Sequence, residues 1–89
     1  YYPDFLWDNE KRVDLPKGTY SADLIAGKSF DFIRRHHDKP FFLYATYTLP
    51  HGNFEGPDTV PYANEPWPDG SKHLASMITR ADRYVGELL

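Results

Sequence analysis

The sequence predicts an α/β fold in which a helix, a buried strand, a long loop and a second helix follow one another. In two stretches, apolar residues recur at the three- and four-residue spacing of an amphipathic helix. Between these stretches, residues 41–47 read F-F-L-Y-A-T-Y, without polar alternation, which is typical of a strand covered on both faces in a parallel sheet. A helix, a turn and such a strand form half of a βαβ unit, so we expect a mainly parallel sheet.

The composition is that of a single small globular domain, and no internal boundary divides residues 1–89. The chain is 40% hydrophobic and 17% aromatic, which is too apolar for intrinsic disorder. Its formal net charge is −3, with Lys and Arg interleaved with Asp and Glu, so we expect neither nucleic acid nor an anionic membrane as a partner. It has no cysteine, which excludes disulfides, thiolate metal sites and a cysteine nucleophile.

The first two predicted elements precede the strand. Residues 1–16 predict a loose hairpin or extended loop, because Asp8-Asn9-Glu10 is a turn signal between short apolar groups. We expect a first helix from an N-cap at Ser21 to about Arg35, ended by residues 38–40, D-K-P. Its buried face is predicted to hold Ala22, Ile25, Ala26, Ser29, Phe30 and Ile33.

After the strand, residues 48–69 predict a long loop stiffened by proline, and a second helix begins near Ser71. Arg80, Asp82 and Arg83 are interpreted as the solvent face of that helix. Its buried stripe is predicted to hold Leu74, Met77, Ile78, Ala81, Val85 and Leu88.

His51 is the candidate functional residue. It lies four residues beyond the predicted strand, between Pro50 and Gly52, in T-L-P-H-G-N-F. In open α/β sheets, ligands bind outside the carboxyl ends of the strands, where His51 is expected. The alternative is a surface histidine that only hydrogen-bonds a loop carbonyl.

The remaining polar and aromatic candidates favour structural roles. His36 and His37 are expected to interact with the C-terminal dipole of the first helix, and we predict no metal site built from this chain alone. Four carboxylates of the predicted loop could pair with His51 or line a polar pocket, although most loop carboxylates are simply solvated. They are Glu55, Asp58, Glu65 and Asp69. Aromatic residues that either stack on a sugar or pin the loop are Phe54, Tyr62 and Trp67.

Three motifs resemble the middle of the catalytic domain of type I sulfatases, which are arylsulfatase-like enzymes of the alkaline phosphatase superfamily. These are Y-S-A-D-L-I-A-x-K-x-x-D-F-I at 20–33, D-K-P-F-F-L-Y-A-T-Y-T-L-P-H-G-N-F-E-x-P-D at 38–58, and K-H-L-A-S-M-I-T-R-A-D-R-Y-V-G-E-L-L at 72–89. The opening Y-Y-P-D-F-L-W-D-N-E-K-R-V is similar to the stretch before that first helix in bacterial members. The resemblance implies a doubly wound, mainly parallel sheet sandwich, incomplete in this segment.

The resemblance also implies a chemistry. Such enzymes use a formylglycine nucleophile, made within a C/S-x-P-S-R motif, and calcium held by acidic residues, and none of those motifs matches this chain. The histidine of the family's T-x-P-H motif matches His51, which is therefore expected to contact the substrate and is a candidate general acid. The implied substrate is a sulfated small molecule or glycan, and the implied location is periplasmic, extracellular or lysosomal.

We therefore expect an internal fragment of a sulfatase catalytic domain, inactive alone and needing the rest of the parent chain to complete the fold. The chain begins at Tyr1 without an initiator Met and ends inside an apolar helical pattern, which favours a longer protein. One alternative is a phosphate mono- or diester hydrolase of the same superfamily. Another is a small non-enzymatic module that binds a partner or glycan through its aromatic loop.

Overall fold

The structure, a computed structural model, describes all of residues 1–89 and contains two strands and two helices. The elements run in the order β1 (Phe5–Asp8), β2 (Lys11–Asp14), α1 (Ser21–His36) and α2 (Asp69–Leu88). Helices and strands are both present, so the mixed α/β composition is confirmed. The only sheet, however, is the antiparallel pair β1–β2, and no parallel sheet is formed.

The predicted hairpin near the start of the chain is confirmed. β1 and β2 pair in a register that sets Leu6 opposite Val13 and Asp8 opposite Lys11. Asn9 makes the turn with φ of 55°, a left-handed conformation that Asn tolerates better than most residues. The carboxylate of Asp8 lies 3.6 Å from the ammonium of Lys28, which links the hairpin to α1.

The first helix forms where the apolar spacing predicts it. Its residues buried against the rest of the molecule are Ala22, Ala26 and Ser29, all on the predicted face. The prediction of Ser21 as N-cap is wrong, because Tyr20 occupies the cap position and Ser21 is the first helical residue. The Ser21 hydroxyl instead donates a hydrogen bond to the carbonyl oxygen of Tyr1 at 3.1 Å.

The predicted strand at residues 41–47 is not a strand in the structure. A strand needs a hydrogen-bonded neighbour, and here residues 40–58 take part in no backbone–backbone hydrogen bond. An apolar groove separates this segment from the hairpin and α1, and the groove is lined by residues that include Leu6, Leu15, Phe32 and Leu43. The segment still alternates like an extended chain, because positions 43, 45 and 47 are half-buried while 42, 44 and 46 are exposed.

The second helix begins at Asp69, two residues before the predicted start, and its predicted buried stripe is confirmed only in part, with Met77 buried and Leu74, Ala81 and Leu88 half-buried. Its buried residues are Ser76, Met77 and Tyr84, whereas Ile78 and Val85 are half exposed. The reason is that α2 packs on α1 and on the loop before it, and nothing in the structure covers its other apolar side. Neither helix combines the length and the apolar character that crossing a membrane requires.

The core lies where α1, α2 and the segment after residue 41 meet. Its buried residues are Tyr20, Ala22, Ala26 and Tyr84, with Tyr1, Phe30, Tyr47 and Leu49 packed against them. The rings of Tyr47 and Tyr84 lie 5.5 Å apart in this core. This small core fixes the point from which the loop carrying His51 departs.

Candidate functional site: the His51 loop

His51 lies on an exposed loop, here called the His51 loop and comprising residues 48–58. The hydroxyl of Tyr1 donates a hydrogen bond to the backbone carbonyl of His51 at 2.7 Å. The imidazole nitrogens of His51 make no hydrogen bond or ion pair, so both are open to a ligand. The ring borders an open polar depression lined by Tyr1, Ser21, Tyr47, Thr48, Leu49, Pro50, His51, Gly52, Asn53 and Glu55.

The backbone of the His51 loop is held by side-chain hydroxyls. The Tyr20 hydroxyl, from the start of α1, donates to the Glu55 carbonyl at 2.9 Å. The Ser76 hydroxyl, from α2, lies 3.1 Å from the Asp58 carbonyl and 2.9 Å from the His73 carbonyl, and it shares its one proton between the two oxygens. Both helices therefore determine where the loop runs, although no strand ladder extends into it.

Tyr20 is the most deeply placed of these anchors. It is buried, and the rings of Tyr1 and Tyr2 lie 5.9 Å and 5.3 Å from its ring. Burial raises the pKa of the Tyr20 hydroxyl from 10.0 to about 12, while the nearby Arg80 charge acts in the opposite direction. The hydroxyl therefore stays protonated near neutral pH and remains a hydrogen-bond donor.

Behind the loop, Arg80 joins α2 to α1, which corrects its interpretation as part of a solvent face. Only 16% of its side chain is exposed, and its Nη1 donates to the two carboxylate oxygens of Asp23 at 2.7 and 2.9 Å. Its Nη2 also lies 3.7 Å from a carboxylate oxygen of Asp58 at the end of the His51 loop. Burial acts to lower the pKa of Arg80, but the hydrogen bond and charge of Asp23 outweigh burial and raise it.

Tyr84 completes this cluster from α2. Its hydroxyl donates a hydrogen bond to the same Asp23 carboxylate that Arg80 binds. The pKa of Tyr84 is raised, first by burial and then by the hydrogen bond to Asp23. The cluster of Asp23, Arg80, Tyr84 and Asp58 is a charged tie between the helices and the loop, and its interactions are used within the fold.

The other histidines stand in different surroundings. Nδ1 of His37 lies 2.9 Å from the Arg34 carbonyl, and Nδ1 of His73 lies 2.9 Å from the Asp69 carbonyl. The His36 ring packs 4.6 Å from the ring of Phe32. Each of these three rings has a local contact on its own helix, whereas the His51 ring nitrogens have none. No three His, Asp or Glu side chains form a group able to hold a metal ion.

The remaining loop candidates divide into two groups. Among the carboxylates, Glu55 borders the depression, and Asp58 accepts a hydrogen bond from the Val60 amide at 3.1 Å. Tyr62 stacks on Trp67 with ring centres 5.5 Å apart, and its hydroxyl is 2.9 Å from that of Thr79 on α2. These contacts attach the later loop to α2, as expected from aromatic residues that pin it.

The structure adds Tyr1, Tyr20 and Arg80 to the residues that shape the site. Tyr1 lies 50 positions from His51 along the chain, and Tyr20 lies 35 positions from Glu55. No short-range pattern signals such contacts. The only local indication was the density of tyrosine at the start of the chain.

No protein-family model matches the chain, and neither a curated protein nor a solved structure matches it. A solvent-exposed imidazole with two free nitrogens can donate a hydrogen bond to an anion and transfer a proton near neutral pH.

Proposed function

We propose that this chain is part of the catalytic domain of a sulfatase that hydrolyses aryl or carbohydrate sulfate esters. His51 is the residue of this chain that contacts the sulfate group. The observation that carries the proposal is His51 itself, whose imidazole is exposed and unengaged while its backbone is anchored to α1. The three sulfatase-like motifs, which cover nearly the whole chain, supply the substrate class.

The exposed side of residues 41–47 supports a larger sheet. Phe42 and Tyr44 are 85% and 79% exposed, and the backbone of this extended segment has no hydrogen-bonded neighbour. The Tyr47 hydroxyl is buried without a hydrogen-bond partner. Neighbouring strands would pair the backbone groups, and helices packed on the faces of that sheet would cover the exposed aromatic rings. We infer that the segment is a strand of a doubly wound, mainly parallel sheet in the complete domain.

The chemistry of His51 follows from the charge that develops as a sulfate ester breaks. The leaving oxygen gains negative charge while the S–O bond lengthens, and an imidazolium within hydrogen-bond reach stabilises that charge. As the bond breaks, the imidazolium transfers its proton to the leaving oxygen and becomes neutral imidazole. A histidine suits this role because both of its protonation states are accessible near neutral pH.

Calcium and formylglycine are implied by the proposed class, but residues of this chain do not fit either group. Asp23 and Asp58 are occupied by Arg80, and no other acidic side chains converge. The nucleophile and the calcium ligands therefore belong to other parts of the parent protein. The role derived for this chain is limited to binding sulfate and donating a proton through His51.

The test uses the full-length protein that contains this chain and a 4-nitrophenyl sulfate assay. His51→Ala should lower turnover by at least tenfold, because general acid catalysis contributes on the order of 10²- to 10⁴-fold. His37→Ala is the matched control, since its ring contacts its own helix, and it should leave turnover unchanged. Circular dichroism of both variants confirms that the helices are retained.

Three outcomes would overturn the proposal. If turnover is unchanged in His51→Ala, His51 does not bind the sulfate group or donate the proton in catalysis. Hydrolysis of 4-nitrophenyl phosphate, with no hydrolysis of the sulfate, assigns the protein to phosphate ester chemistry instead. Failure to hydrolyse either ester, combined with retention of a glycan or protein partner, favours a non-enzymatic binding module.

A further inference from the structure

We propose that Tyr1 and Tyr20 are positioning residues that hold His51 in place through their hydroxyl groups. The purpose of this positioning rests on the proposed function, since it matters for catalysis only if His51 acts on substrate. The positioning itself can be measured without any substrate.

The His51 loop has few other attachments. Its backbone makes no backbone–backbone hydrogen bond, so its carbonyls depend on side-chain donors. The Tyr1 hydroxyl donates to His51 at 2.7 Å and lies 3.4 Å from the Gly52 carbonyl. The Tyr20 hydroxyl donates to Glu55 at 2.9 Å. These two tyrosines therefore hold the loop on both sides of Asn53, which adopts φ of 57°.

Tyr1 is a firm anchor because α1 holds it in turn. Its carbonyl oxygen accepts hydrogen bonds from the Ser21 amide at 2.9 Å and from the Ser21 hydroxyl at 3.1 Å. Its ring packs on that of Tyr20. A continuous set of contacts thus runs from the first turn of α1 through Tyr1 to the backbone of His51.

Tyr20 is fixed even more tightly. Its ring is buried in the core, and the guanidinium of Arg80 lies 5.5 Å from the ring centre. Because Arg80 is bound to Asp23, the position of this ring depends on both helices. A hydroxyl held in this way can define the position of the loop carbonyl that accepts its hydrogen bond.

Positioning matters because misplacing a reacting group by about 1 Å can cost on the order of 100-fold in rate. The Tyr1 bond is made to the backbone of His51, so it fixes the Cα from which the imidazole extends. Both imidazole nitrogens stay free for the substrate.

The first experiment measures backbone order by NMR in the ¹⁵N-labelled full-length protein that contains this chain. In the wild type, heteronuclear NOE values for residues 51–56 should approach those of the helices, since this measurement reports motion on the picosecond-to-nanosecond scale. Tyr1→Phe should lower them at His51 and Gly52, and Tyr20→Phe should lower them around Glu55. Each variant removes one hydroxyl and keeps the ring. The matched control is Tyr44→Phe, whose hydroxyl makes no hydrogen bond, and it should change none of these values.

The second experiment measures coupling to His51 in the full-length protein. Tyr1→Phe should lower kcat for 4-nitrophenyl sulfate by about 3- to 10-fold with little change in KM. The same substitution in the His51→Ala background should have no further effect, because residues that act through one group are not additive. A residue with a merely structural role would lower activity in both backgrounds.

The outcomes separate the two proposals. A wild-type loop as mobile as an unfolded peptide, or unchanged order in both tyrosine variants, overturns the positioning role. Equal kcat losses with and without His51 also overturn it. Loss of order in the variants without any sulfatase activity retains the positioning role and rejects only the proposed function.

Discussion

The guanidinium of Arg80 on α2 binds the carboxylate of Asp23 on α1 through two hydrogen bonds of 2.7 and 2.9 Å. The two residues are 57 positions apart in the chain, and the Tyr84 hydroxyl binds the same carboxylate. Because the hydrophobic core is small, these hydrogen bonds and this ion pair are the main polar contacts between the two helices. The ion pairing of Arg80 also extends to Asp58, at the end of the loop that carries His51.

Arg80→Ala should destabilise the chain by about 1–3 kcal/mol. Removing one partner leaves Asp23 partly buried without its countercharge, and breaking fully buried pairs costs about 3–5 kcal/mol, so a half-exposed pair should cost less. Urea titration followed by circular dichroism at 222 nm measures the change. Arg34→Ala is the matched control, since its pair with Asp31 is exposed on both sides and should contribute less than about 1 kcal/mol. Equal effects of the two substitutions would contradict a special role for the Arg80–Asp23 pair.

Stability should fall as the pH rises from about 10 towards about 12. Burial raises the pKa of Tyr20 from 10.0 to about 12 and also raises the pKa values of Tyr2 and Tyr84. Above the unfolded pKa the unfolded chain binds fewer protons than the folded one, so raising the pH favours unfolding. This contribution is fully present below about pH 10 and is lost through the folded pKa.

The measurement is the urea midpoint as a function of pH, compared with Tyr20→Phe. The variant has one fewer group with a raised pKa, so its alkaline decline should be shallower. Tyr44→Phe removes an exposed tyrosine whose hydroxyl makes no hydrogen bond, and its decline should match that of the wild type. If the stability of Tyr20→Phe declined with pH as steeply as that of the wild type, Tyr20 would not contribute to the alkaline loss of stability.

Met77→Ala should destabilise the chain by about 2–4 kcal/mol, because Met77 is 1% exposed and truncation leaves a cavity in a core with few other members. Its neighbour Ile78 is 50% exposed and provides the control. Ile78→Ala should cost less than about 1 kcal/mol. Thermal unfolding followed at 222 nm compares the two. A larger effect at Ile78 would mean that the Ile78 side of α2, and not the Met77 side, is the buried one.

Local patterns predicted the helices and the hairpin, because both depend on residues close in sequence. The three- and four-residue spacing of Ala22, Ala26 and Ser29 predicts which face of the helix is buried. The turn at Asn9 can be predicted because it depends only on a few adjacent residues. A strand differs, because residues 41–47 can pair only with a neighbour elsewhere, and the hairpin of this chain does not pair with them. The apolar run therefore predicted a strand, and the structure forms none at these residues.

In the candidate site, too, the local features could be predicted from the sequence and the long-range contacts could not. The Pro and Gly that flank His51 mark an exposed histidine on a defined loop, and they are visible in a few consecutive residues. The hydroxyl donors that hold this loop come from Tyr1, Tyr20 and Ser76, which lie far away along the chain. Arg80 was misinterpreted for the same reason, because its neighbours in sequence give no indication of Asp23.

Asn9→Ala should weaken the β1–β2 hairpin by about 1 kcal/mol, whereas Asn9→Gly should be tolerated. Asn9 has φ of 55°, a conformation in which a Cβ atom is crowded by the backbone, and Asn accepts it more readily than Ala. Glycine has no Cβ and adopts this φ freely, so it serves as the matched control. The measurement is the intensity of cross-strand NOEs between Leu6 and Val13, which face each other in the register. The NOEs should weaken in the alanine variant and persist in the glycine variant. If alanine preserved them fully, the left-handed turn at Asn9 would not be what sets the pairing of the two strands.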